Sequence, residues 1–91
     1  MTTKVAIKQS AYDTSHLGEG WKKRDAHCDW PQSYHLRGGK YRTGEYFIFA
    51  ASTNSSDMDD IAKADVFYGT GITIEVAEEE AYRRYLQNKQ V

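Results

Sequence analysis

The chain has one cysteine, one proline and no long apolar run. With Cys28 alone, no internal disulfide is available, so the 91 residues must hold together by packing. A membrane-spanning helix needs roughly 20 consecutive apolar residues, and no segment approaches that. The opening stretch Met1–Lys8 has no apolar segment of secretion-signal length. These absences lead us to expect a soluble, cytoplasmic protein with no membrane partner.

Other absences concern chemistry. Neither a G-x-x-x-x-G-K-[ST] nor a G-x-G-x-x-G string occurs. Gly38-Gly39 and Gly69-x-Gly71 therefore read as turn residues rather than phosphate loops. Counted from Asp57, the sixth and twelfth positions are Ala62 and Tyr68, which excludes an EF-hand loop. His16, His27, Cys28 and His35 are metal-ligand residue types, but the short paired spacings of a structural zinc site are missing. Cys28 beside His27 is a nucleophile–base pair by residue type, without a third orienting group. We expect no cofactor and no metal. A pI of 6.3 argues against a dedicated nucleic-acid binder, whose domain pI typically exceeds about 9.

What is present suits one small domain spanning 1–91. Hydrophobic residues make up 40% and aromatic residues 13% of the chain. At this length roughly 60–65% of the unfolded surface can be buried. A few aromatic side chains, each burying about 150–250 Å², then carry much of the core.

Along the chain, Val5-Ala6-Ile7 reads as a short strand. Residues 10–32 read as a mostly irregular covering segment, with a helical turn or two between Trp21 and Trp30. Tyr34–Arg37 alternates, Gly38-Gly39 turns, and Lys40–Thr43 returns as an edge segment. Tyr46–Ala51 is apolar at every position, which implies a central strand buried on both faces or one face meeting a second subunit. Ser56-Asp57-Met58-Asp59 predicts a capped short helix ending near Ala64. Val66-Phe67-Tyr68 and the alternating Ile72–Val76 read as strands. A C-terminal helix is expected over Ala77–Asn88, burying Ala77, Ala81, Tyr82, Tyr85 and Leu86 and laced by Glu79–Arg83 and Glu80–Arg84 pairs. The sum is an α+β fold: a mostly antiparallel sheet of three to five strands, with one short helix and one C-terminal amphipathic helix packed on one face. A ferredoxin-like split arrangement is one candidate.

Charge is divided unevenly. Residues 1–44 carry eight Lys/Arg against four Asp/Glu, a balance of +4, and residues 45–91 carry four against nine, a balance of −5. We expect a cationic, aromatic surface on one side and an anionic one on the other. The densest interleaving of rings and cations falls at Trp21, Lys23, Arg24, Trp30, Tyr34, His35, Arg37, Tyr41 and Arg42. Trp, Tyr and Arg dominate protein interfaces, and the same mixture suits bases stacked on rings with cations along phosphates. The sequence therefore points to a non-enzymatic module binding a protein or small molecule, with a homodimer allowed. Single-stranded nucleic acid bound through residues 21–42 is the alternative. A small enzyme using His27, His35 or Tyr41 as acid–base groups comes third.

Overall fold

In the computed structural model, which describes residues 4–10, 24–55 and 57–89, the centre of the architecture is the all-apolar segment Tyr46–Ala51. It is an interior strand of a five-stranded sheet. In chain order the strands are β1 (Ala6–Gln9), β2 (Arg24–Asp25), β3 (His35–Lys40), β4 (Tyr46–Ala51) and β5 (Val66–Gly71). Helix α1 (Met58–Lys63) joins β4 to β5, and α2 (Ile74–Lys89) closes the chain. The strand order is β2-β1-β3-β4-β5. Among the described residues only the β1–β3 pair is parallel; the other pairs are antiparallel. Strands β4 and β5 are adjacent and antiparallel, so α1 is not the crossover of a split βαβ unit, and the ferredoxin-like expectation fails.

Residue alternation sorts the sheet into two faces. Ile7, Leu36, Ile48 and Ala50 face α2 and form one core with Trp30, Tyr34, Ile74, Ala77, Ala81 and Tyr85. Burying an aliphatic side chain contributes about 1.5–3 kcal/mol. The aromatic part of this core is continuous. Trp30 lies 5.7 Å from Tyr34, 5.4 Å from Tyr85 and 5.1 Å from Tyr82, centroid to centroid, and Phe67 meets both Tyr34 and Tyr85. Phe47, Ala51 and Ile61 are buried outside this cluster.

Glycine accounts for the main departures from the sequence expectation. Gly38 and Gly39 lie inside β3, not in a turn. A Cβ at Gly38 would lie 2.7 Å from the Phe47 carbonyl oxygen, so the residue is needed for close approach. The turn falls at 41–45 instead. There Gly44 has φ 98° and its N–H donates to the Tyr41 carbonyl at 2.9 Å. Gly69 and Gly71 belong to β5. A Cβ at Gly69 would sit 2.3 Å from the Ala77 carbonyl oxygen and 2.5 Å from the Ala81 nitrogen, both helix backbone. The small residues thus form a slot that seats α2 directly on β5.

This slot also overturns the strand expected over Ile72–Val76. Ile72 is 80% exposed, and α2 begins at Ile74. The Thr73 hydroxyl accepts the Val76 N–H at 3.1 Å, capping the helix start. Asp57 caps α1 by accepting from the Asp59 N–H, and Ser55 Oγ, which accepts the Asp57 N–H, donates to Asp60. Ser56, the expected cap, lies outside the described residues, as do 11–23. Within 24–30 the expected helical turn is replaced by β2 and a bend. No described helix is long and apolar enough to cross a membrane.

Two glycine substitutions separate close approach from backbone conformation. Gly69→Ala should cost about 1–3 kcal/mol, because helix backbone must shift to admit the methyl. Gly44→Ala meets nothing within 4 Å and is strained only by its positive φ, so it should cost about 1 kcal/mol. Urea unfolding of both variants checks the order. A Gly69→Ala protein as stable as the parent would contradict the helix–strand contact.

Candidate functional site

Helix α2 turns three acids, Glu75, Glu78 and Glu79, toward β2 and the segment after it, and each finds a partner there. Glu78 is 1% exposed. Its carboxylate accepts the His27 N–H at 2.8 Å, the Cys28 N–H at 2.6 Å and the Trp30 indole Nε1–H at 3.0 Å. Bonds of this kind satisfy a buried carboxylate and orient both sides. Glu75 pairs with Arg24 at 3.0 Å, and Glu79 with His27 Nε2 at 3.2 Å. The Tyr82 hydroxyl reaches the Asp29 carbonyl. The expected Glu79–Arg83 pair is absent: Arg83 and Arg84 both turn to Glu80.

This clasp corrects the expectation of two separate charged exteriors. Arg24 and His27 from the first half meet Glu75 and Glu79 from the second. Arg24 of edge strand β2 reaches Glu75 of α2, and opposite charges brought that close pair rather than separate.

The residues singled out from the sequence split into groups. Trp21 and Lys23 lie outside the described residues. Arg24 belongs to the clasp. Trp30 and Tyr34, 4% and 8% exposed, are core residues between α2 and the sheet. Their apolar rings are drawn into the largest hydrophobic contact available, and the indole N–H finds Glu78. His35, Arg37, Tyr41 and Arg42 are elsewhere. His35 and Arg37 alternate with Leu36 and so lie on the sheet face turned away from α2. Tyr41 and the exposed Arg42 follow at the end of β3.

On that second face the register sets Lys8 beside Arg37, Arg37 opposite Phe49, and Phe49 opposite Tyr68. Phe47 lies between two tyrosines: Tyr41 stacks on it at 4.8 Å and Tyr68 at 6.5 Å, each inclined 27°. The Tyr41 and Tyr68 hydroxyls are 2.5 Å apart. Lys8, Phe47, Phe49 and Tyr68 were not singled out from the sequence. Alternation in β4 groups the two phenylalanines, but only the register adds Tyr68 and Lys8. Glu78 carried no signal, since it sits in a run of three glutamates that reads as a solvated face.

The two described histidines do not converge. His27 is held on the α2 side, while His35 lies on the opposite sheet face. The Cys28 thiol is pushed up to about 12 by burial first, then by the negative charge of Glu78 and a hydrogen bond to it. It is therefore a thiol, not a thiolate, at neutral pH. Among the described residues no group of three His, Cys, Asp or Glu could hold a metal ion. No family model, curated protein or solved structure matches this chain.

Two experiments test the clasp. Glu78→Gln should destabilise the protein by about 1–3 kcal/mol, because an amide NH₂ then faces N–H donors in a buried site. Chemical denaturation followed by Trp30 fluorescence measures it, and a loss under about 0.5 kcal/mol, the scale of an ordinary surface change, would show that the clasp is dispensable. The second variable is pH. Cys28 binds its proton more tightly folded than unfolded, so stability is complete below the ordinary thiol value of 9.0 and falls as pH rises toward about 12. Tyr34 and Tyr82, raised chiefly by burial from 10.0, act in the same direction. Melting temperature should decline above about pH 9, the midpoint of an ordinary thiol, and Cys28→Ala should flatten the first part of that decline.

Proposed function

We propose that this chain is a small non-enzymatic binding module for a protein or small-molecule ligand, and that its contact surface is the sheet face turned away from α2. The observation that carries this reading is the Tyr41–Phe47–Tyr68 ring ladder in the same face as Lys8, His35 and Arg37. Tyrosine offers a large contact area with a polar tip, and Tyr and Arg are over-represented among the residues that dominate binding energy. Tyr68, at one end of the ladder, is 39% exposed. Phe47 stands on interior strand β4 and the Tyr41 and Tyr68 hydroxyls meet beside it, so the rings hold one another in place before any ligand arrives, which lowers the entropic cost of binding.

A second reading draws on the same geometry. Near-parallel rings flanked by Lys8 and Arg42 also suit a single strand of nucleic acid, with bases stacking and phosphates following the cations. It predicts affinity for oligothymidine that falls steeply between about 50 and 200 mM salt. Salt-independent binding, or none at low salt, removes it.

The module reading is tested by mapping amide shifts during titration with small aromatic carboxylates. Perturbations should gather at Tyr41, Phe49 and Tyr68, and Tyr68→Ala should weaken binding about tenfold, equivalent to roughly 1.4 kcal/mol. Shifts confined to the α2 side, or unchanged by Tyr68→Ala, would overturn it.

A further inference from the structure

On the face turned away from α2, a buried cation has no counter-charge among the described residues. Arg37 is 8% exposed. Its Nη2 donates to the backbone carbonyls of Asn54 and Ser55, at 3.2 Å each. Its Nη1 is buried with no hydrogen-bond partner among the described residues. A guanidinium group is a permanent cation in proteins. Carbonyl oxygens satisfy N–H groups but bring no net negative charge. Asp60, which reaches the same loop, bonds Ser55 Oγ instead.

A second cation stands next to it. The parallel β1–β3 register aligns Lys8 with Arg37 on the same face. Like charges directly opposite in a sheet repel. No ion pair reaches either cation among the described residues. Loop 52–55 fixes the guanidinium through Nη2, which leaves Nη1 as a positioned, unused donor. Such a donor, in a site of low dielectric and with an ammonium beside it, matches the shape and charge of a tetrahedral oxyanion.

We infer that Arg37 and Lys8 form a binding site for a phosphate group, with Arg37 Nη1 as the fixed hydrogen-bond donor and Lys8 as the mobile charge at its exposed side. The inference deepens the binding-module reading and rests on it for the face involved. It gives that face a preference, a ligand bearing a phosphate next to an apolar or aromatic part, since Phe49 and then Tyr68 continue the same row. Because Nη1 is closed to bulk water, the phosphate exchanges only when the face opens locally, so bound and free forms interconvert slowly.

The test titrates the full chain with inorganic phosphate against chloride at equal ionic strength, followed by calorimetry and by the ¹⁵N resonances of the Arg37 side chain. Saturable binding with new Arg37 resonances is expected. Arg37→Gln should weaken it at least tenfold, and Arg37→Lys should restore part of the affinity. Lys8→Gln should weaken it three- to tenfold, and because Lys8 is exposed this variant decides the matter if Arg37→Gln fails to fold. Phosphate behaving as chloride does, or binding indifferent to both substitutions, overturns the site. The aromatic carboxylate titration separates the two readings. Tyr68-dependent binding with no phosphate effect removes this site alone. Phosphate binding at Arg37 with no Tyr68-dependent ligand supports the site and removes the aromatic surface.

Discussion

A carboxylate held by three N–H donors joins the two ends of this chain. Glu78 lies early in the last helix, and His27, Cys28 and Trp30 lie some fifty residues earlier in a segment with little regular structure. That segment has few backbone partners of its own. Its N–H groups would be costly to bury unsatisfied, and Glu78 supplies the acceptor. The same contact places the Trp30 ring among Tyr34, Tyr82 and Tyr85, so a polar interaction positions the largest apolar side chain in the core. Arg24–Glu75 and His27–Glu79 flank it as exposed pairs, each contributing little by itself. The Cys28 thiol holds its proton because it is partly buried and, secondarily, because it stands beside the carboxylate that orders the segment.

The opposite wall of the core depends on what is missing from β5. Gly69 and Gly71 let α2 approach the strand until backbone nearly touches backbone, and Ala77 and Ala81 complete the slot from the helix side. Close approach of this kind gives extensive dispersion contact over a small area. It suits a 91-residue chain, which has few large side chains to spend. It also sends the aromatic residues to the margin of the slot, where Phe67, Tyr34, Tyr85 and Trp30 form one connected group.

With α2 committed to one face, the sheet has a second face of different character. It carries Lys8, His35 and Arg37 together with the Tyr41–Phe47–Tyr68 ladder. The first face is organised by an acid that has found its donors. The second contains a guanidinium nitrogen that has found no acceptor among the described residues. That asymmetry, more than the overall charge division between the halves, distinguishes the two sides.

How much of this was legible in the residues differs from element to element. Tyr46–Ala51 declared itself as an interior strand because apolar residues at both alternating positions have no other way out of water. The α+β class, the short capped helix and the amphipathic C-terminal helix followed from local periodicity and capping chemistry. Gly38, Gly69 and Gly71 were misread because a glycine that turns the chain and a glycine that admits a neighbour look identical until the neighbour is present. Trp30 and Tyr34 looked like surface rings because cations adjoin them in sequence, whereas burial follows from contact in space. Local order therefore fixed the interior strand and the two helices, which depend on residues a few positions apart, but not Ile72–Val76 or Arg24–Asp25, whose structure follows from the contact between α2 and the sheet and from pairing with β1. Only the tertiary structure decided that Glu78 would be buried, that Lys8 would stand beside Arg37 and that Tyr41 would meet Tyr68, because each requires two or more distant segments to be set in register.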